Sequence, residues 1–212
     1  MNLEWTGHAG FKINGKKTVY IDPFQITSSE KADLILITHP HYDHCSIADL
    51  KKIVGANTVI VAPIDCQSKI ASGKMKFKQF HQAKPGDKLH IYEIGIEAVP
   101  AYNIGKPYHN QNDDWVGYVI SMEGKRIYHA GDSDYLNEMA GIKSDIALLP
   151  VGGTYTMNAR EAAHAASIMK PKVTIPMHYG SVIGTKEDAL ALKSSYHGRV
   201  EIMQINTPEE LV

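Results

Sequence analysis

Between Thr38 and Cys45 the chain reads THPHYDHC, which sets three histidines and one aspartate into the six positions 39–44. Imidazole and carboxylate are ligands for divalent transition metals. A helix does not aim neighbours at i and i+2 toward one point, but a tight loop does. From the residues alone, His39 and His41 form a pair for one ion, and Asp43 and His44 a pair for a second beside it. The donors suit zinc, manganese, iron or nickel. Without a thiolate pair they are not the composition of a closed structural zinc site.

Two such ions, about 3.5–4 Å apart, can share a water, lower its pKa toward neutrality and polarise a carbonyl or phosphoryl oxygen. That is hydrolysis without a serine or cysteine nucleophile. Asp43 is the residue expected to orient the water and pass a proton on. No GxSxG elbow, P-loop or GxGxxG after a strand offers a competing chemistry. Further ligands must come from elsewhere. Asp132, in YHAGDSD, follows the predicted strand 125–130, and Gly131 lets the backbone turn there. Its two oxygens can bridge two cations. His178, in IPMHYGS, follows the predicted strand 173–177. Each is weak evidence alone, but both stand just past a strand, as His39 does, where ligand sites collect.

The elements that must position these residues are legible in part. Residues 11–21 read as a hairpin with Asn14-Gly15 as a two-residue turn. Residues 34–37 form a short apolar run, as in a strand buried on both faces, and the run stops at the histidine cluster. A helix should follow, capped by Ser46, with Ile47, Leu50 and Val54 as its stripe and Gly55 as its end. Residues 58–62 read as a strand and 65–72 as a helix closed by Gly73. Further strands are expected at 88–93, 95–101, 116–122, 125–130, 145–151, 173–177 and 200–205, with Glu123-Gly124 as a hairpin turn. Asn158 and Glu161 make a capping box for a helix over 159–170 that Pro171 stops, and Thr185 caps another that runs to about Ser195. Strands with helices in both halves suit two packed sheets with helices outside. No linker or repeat divides residues 1–212, so one domain is expected.

Bulk composition excludes several classes. Hydrophobic residues make up 43% of the 212 and charged residues 21%, as in ordinary globular proteins. A formal net charge of −1 gives little general pull toward nucleic acid or acidic membranes. There is no apolar stretch of membrane-spanning length. The opening MNLEWTGHAGFKING lacks the basic-then-apolar plan of an export signal, so a cytoplasmic location is expected. Two cysteines, Cys45 and Cys66, do not make a disulfide scaffold.

Asp22 in YIDPF, then THPHYDH, HAGDSD and IPMHYG, in that order, resemble the metallo-β-lactamase superfamily. The stretch LPVGGTYTMNAREAAHAASIMKPKVTIPMHYG is similar to its small cytosolic metal-dependent hydrolases, relatives of L-ascorbate 6-phosphate lactonase. The likeness runs from LEWTGHAGF to His178 and beyond. It implies an α/β fold, a four-layer αββα sandwich with metals at one edge between the sheets. Carried over residue by residue, it implies His39 and His41 on a first metal, Asp43, His44 and His178 on a second, and Asp132 bridging. Asp22 would orient the site without ligating.

One position departs from the pattern. The family supplies a third histidine for the first metal after a strand like 96–100, and here that place reads VPAYNIGKPYH, with Tyr102-Asn103 instead. His109 reaching back is the favoured replacement, Asn103 a weaker oxygen ligand, and His129 a candidate better read as a core residue. The expected activity is metal-dependent hydrolysis of a small ester, lactone or phosphodiester, with two divalent ions, zinc first. The alternatives are a degenerate member that binds metal or ligand without turnover, and a small nuclease or tRNA-processing enzyme. A small-molecule substrate is expected, with no membrane partner. Nucleic acid is disfavoured, and a homo-oligomer is compatible with the sequence. Lys106, Tyr108, Tyr155 and Thr156 are candidate substrate contacts, His8 a candidate pocket residue, and Gly152-Gly153 a candidate anion cradle.

Overall fold

The computed structural model describes residues 1–210. In chain order these form β1 (Asn2–Gly7), β2 (Gly10–Asn14), β3 (Thr18–Ile21), β4 (Leu34–Leu36), α1 (Ile47–Ile53), β5 (Val59–Ala62), α2 (Asp65–Ser72), β6 (Gln79–Gln82), β7 (Lys88–Ile91), β8 (Ile94–Pro100), β9 (Val116–Met122), β10 (Lys125–His129), β11 (Ile146–Pro150), α3 (Ala159–Met169), β12 (Val173–Met177), α4 (Lys186–Ser195) and β13 (Pro208–Glu210). Among the described residues this gives two β-sheets and four α-helices, an α/β content that agrees with the sequence expectation. None of these helices is long and apolar enough to cross a membrane. Two compact units result: Met1–Ala83 with the segment from Met203 onward, and Lys84–Ile202.

In the first unit the strand order is β13-β1-β2-β3-β4-β5-β6. The strands from β13 to β3 pair antiparallel, and those from β3 to β6 pair parallel. β4 is buried at all three positions, which is why it reads as a plain apolar run rather than an alternation. α1 and α2 are the crossovers of successive βαβ units, and Leu50, Ile53, Cys66 and Ile70 pack on Tyr20, Ile35 and Ile60 of the sheet. Ser46 caps α1, its hydroxyl accepting the Asp49 amide. Because β3 and β4 are parallel neighbours, their C-terminal ends lie side by side. Asp22 leaves one and Thr38 follows the other.

In the second unit the order is β12-β11-β10-β9-β8-β7. β7 to β10 form an antiparallel meander, and β10, β11 and β12 are parallel. β8, β10, β11 and β12 therefore point the same way, and the segments after all four emerge at one edge. α3 connects β11 to β12, with the Asn158–Glu161 capping box in place and Ala162, Ala166 and Met169 buried.

Several expectations are corrected. Asn14 pairs with Thr18, so Gly15-Lys16-Lys17 form a three-residue turn in place of a two-residue one. α1 ends at Val54 in an extended conformation, and Gly55 does not terminate it. Tyr92 and Glu93, both at positive φ (51° and 66°), make a tight hairpin turn without glycine or asparagine, so the strand expected over 88–93 ends at Ile91 and the one expected over 95–101 runs over Ile94–Pro100. Residues 200–205 make only isolated bridges, Val200 to Thr174 and Ile205 to Trp5. β6 and β13 are edge strands that no pattern announced.

Candidate metal centre

The first unit gathers Asp22, His39, His41, Asp43 and His44. The loop after β4 closes on itself, with the Cys45 amide donating to the His41 carbonyl at 2.8 Å, and Lys69 of α2 holds the Pro40 carbonyl at 2.8 Å. Asp22 is fully buried and in the left-handed region (φ 44°). Its Oδ1 accepts the Thr38 amide at 2.8 Å, and its Oδ2 accepts the Thr38 hydroxyl at 2.6 Å and His44 Nδ1–H at 2.7 Å. With its one proton given to Asp22, Thr38 Oγ1 can only accept at its 3.0 Å contact with His39 Nδ1. Both imidazoles thus carry the proton on Nδ1, and Nε2 of His39 and of His44 holds the lone pair. His39 Nε2 meets His41 Nδ1 at 3.1 Å.

Asp43 has its own anchor. His8 Nε2 lies 2.9 Å from Asp43 Oδ2, and His8 is itself held by the Trp5 indole N–H on its carbonyl at 2.9 Å, in a left-handed conformation (φ 52°). Ligand atoms of His8, Asp43 and His44 all lie within 4.8 Å of one another. His8, a candidate pocket residue in the sequence, is thus a partner of Asp43. Its position two residues beyond the first buried run was the only signal. Cys45 and Cys66 hydrogen-bond to each other. That bond holds Cys45 below the usual thiol range and, with burial, pushes Cys66 up; both cysteines are buried and form no disulfide.

The second unit gathers His109, Asp132 and His178. Asp132 follows β10 through Gly131, whose φ of 63° makes the turn. His178 leaves β12 in the left-handed region (φ 59°). Its carbonyl approaches Gly152 so closely that a Cβ there would lie 2.7 Å from it, which explains Gly152 as a packing requirement. The Gly153 amide is spent on the Met157 carbonyl at 3.0 Å, so this pair is no anion cradle. His178 Nε2 lies 3.0 Å and His109 Nε2 3.4 Å from Asp132 Oδ2. Asn103 turns its amide to His109 Nδ1 (2.9 Å), Asp134 and the Tyr155 carbonyl, which makes it a partner of His109 and not a substitute for it. Lys106, a candidate substrate contact in the sequence, donates to Asp134 and to the Thr156 carbonyl. His129 accepts the Gly131 amide at 3.1 Å, as a strand-end residue does.

The donors fit a divalent transition metal. Nitrogen ligands at 2.0–2.1 Å in tetrahedral geometry stand about 3.3 Å apart. The His39–His41, His178–Asp132 and His109–Asp132 separations, 3.1, 3.0 and 3.4 Å, fall around that value. All of these residues but His41 are buried, and the carboxylate and threonine behind His39 and His44 are the outer partners that ligating histidines commonly have.

The family model described as "Beta-lactamase superfamily domain" matches residues 2–178. A UPF0173 metal-dependent hydrolase from Thermoplasma volcanium is 37% identical over 208 residues, covering 92% of this chain and 90% of its own. One from Pyrococcus abyssi is 32% identical over 228 residues, covering 100% and 99%. Among solved structures, a Parabacteroides distasonis protein provisionally designated a metal-dependent hydrolase aligns with a TM-score of 0.79 at 34% identity, covering 95% of this chain and 93% of its own.

Proposed function

The chain belongs to the metallo-β-lactamase superfamily, among its UPF0173 metal-dependent hydrolases, and from that premise we propose that it hydrolyses a small ester, lactone or phosphodiester with divalent metal held by His39, His41, Asp43, His44, His109, Asp132 and His178. The observation that carries the reading is the matched donor chemistry: two sets of histidine and aspartate, with the ring protons of His39 and His44 already committed to Thr38 and Asp22. Two divalent ions, zinc first, are the expected complement. When bound they supply Lewis acidity, lowering the pKa of water toward neutrality and polarising the oxygen of the scissile group.

The chain's own residues do the rest. Asp22 and Thr38 keep two rings from turning. Asp132, whose Oδ2 lies 3.0 Å from His178 Nε2, would hold metal together with that ring. Asp43 accepts a proton at Oδ2, where the His8 ring stands 2.9 Å away to share it and return it to the leaving group. The alternative of a binder without turnover leans on the missing third histidine; His109, 3.4 Å from Asp132, supports the reading in which it takes that histidine's part. With 22 Lys and Arg against 23 Asp and Glu, a small molecule is favoured over nucleic acid as the substrate.

The test begins with elemental analysis after reconstitution with zinc or manganese, followed by a panel of lactones, esters and phosphodiesters. Metal-dependent turnover is expected, with Asp43→Ala keeping its far-UV circular dichroism while losing about 10²- to 10⁴-fold in kcat. Failure to bind either metal, or equal turnover after chelation, would overturn the reading.

A further inference from the structure

We propose that Asn103 is a positioning residue for His109: it fixes the Nδ1–H tautomer, so that Nε2 presents a lone pair toward Asp132. The role assigned to that lone pair, ligation, rests on the metal-dependent reading above. The tautomer itself does not.

Asn103 lies on the loop that leaves β8 and is buried. Its Nδ2 group donates to the Tyr155 carbonyl at 2.8 Å and to Asp134 Oδ1 at 3.2 Å. A carbonyl has no proton to give. Asp134 in turn is surrounded by donors: the Lys106 ammonium at 2.5 Å and the Ile104 amide at 2.8 Å. Turning the Asn103 amide over would press its oxygen against both acceptors, so the amide has one orientation. Oδ1 therefore faces His109, 2.9 Å from Nδ1. An amide oxygen only accepts, so the imidazole proton sits on Nδ1. The same asparagine donates its backbone N–H to the His109 carbonyl at 2.8 Å, gripping that residue at both its ring and its main chain.

A consequence follows at the other nitrogen. In this tautomer His109 Nε2 and Asp132 Oδ2 are both acceptors, 3.4 Å apart. Two lone pairs at that distance repel, and a metal cation or a proton between them relieves the repulsion. Lys106, which also holds the Thr156 carbonyl at 2.7 Å, thus acts on the donor set at second hand, through Asp134 and Asn103. The sequence departure at Tyr102-Asn103 is then a relocation: the position that loses the ligand supplies the group that orients its replacement.

The test reads ring protonation directly. Protein labelled with ¹⁵N-histidine, metal-free and at about pH 8 where imidazole is neutral, is measured by long-range proton–nitrogen correlation. His109 is expected as the Nδ1–H form in the wild type and as a mixture or the Nε2–H form in Asn103→Ala. Zinc affinity, from chelator competition, is expected to fall about 10- to 100-fold in that variant. An Nε2–H tautomer in the wild type would overturn the proposal without any variant, so a misfolded Asn103→Ala cannot shield it. An Asn103→Ala protein that keeps both tautomer and zinc affinity would overturn it too. The two readings fail separately. An Nδ1–H ring in a wild type that binds no zinc sinks the hydrolase and upholds Asn103, whereas an Nε2–H ring in an active zinc enzyme does the reverse.

Discussion

One hydroxyl organises the first donor set. Thr38 gives its proton to Asp22 and so obliges His39 to give its own, which leaves the lone pair on Nε2 of that ring. Thr38→Val keeps the shape and removes the hydroxyl. Two buried hydrogen bonds go with it, for an expected loss of about 1–3 kcal/mol by denaturant unfolding. Zinc should also bind about 10- to 100-fold more weakly by chelator competition, because the ring is free to take either tautomer. A variant with the stability loss but undiminished zinc affinity would show that Thr38 only packs. The sequence makes the ligand types visible here and leaves their orienters hidden. Three histidines and an aspartate in six positions announce themselves because the chemistry is written in one run. Thr38 and Asn103 are ordinary residues until the fold brings Asp22 against one and Asp134 against the other, and His8 needs Asp43, 35 positions away, to acquire a role.

At the scale of elements, the proposed donors other than His109 stand where strands with a parallel neighbour end, and the segments leaving those ends must be held. After β3 the chain runs through residues 22–33 before β4 begins, and Asp49 of α1 pins it. The Asp49 carboxylate accepts the Gln25 and Ile26 amides at 2.9 and 3.1 Å and the Lys52 ammonium at 2.7 Å. Burial raises the pKa of Asp49, but the bonds from Lys52, Ser46 and Gln25 outweigh it, and the group lies below its ordinary 3.8. A depressed carboxylate stabilises the fold above the unfolded pKa and loses that contribution as pH falls through the folded one. Asp49→Ala should therefore cost about 1–3 kcal/mol near neutrality, and the gap from wild type should narrow below about pH 4. Equal acid sensitivity of the two proteins in urea titrations would refute this account. Elements were legible where local chemistry spoke: the Asn158–Glu161 box, the Glu123-Gly124 turn, the buried run of β4. They were illegible where the partner strand decides. β6, Gln-Phe-His-Gln, and β13, Pro-Glu-Glu, carry no apolar alternation and are strands only because a sheet edge offers them hydrogen bonds. The Tyr92-Glu93 turn takes a left-handed backbone that its residue types do not advertise.

For the whole molecule, the family match across residues 2–178 takes in all of the first unit's proposed donors and all of the second's. If both sets serve bound metal, metal is also a stabiliser, since an ion that binds only the folded chain adds RT ln(1 + [L]/Kd), about 2.7 kcal/mol at a hundredfold excess over Kd. For a chain of 212 residues each kcal/mol moves the melting midpoint by about 2–4 °C, so scanning calorimetry should find zinc raising Tm by about 5–10 °C and a chelator reversing it. The informative comparison is between His39→Ala and His178→Ala, one donor from each unit. Joint use of the two sets requires that either substitution remove most of the zinc-induced shift while leaving the metal-free Tm nearly unchanged. A shift that survives intact in one variant would confine the metal to the other unit's residues, and the mechanism would have to be rebuilt on that set alone.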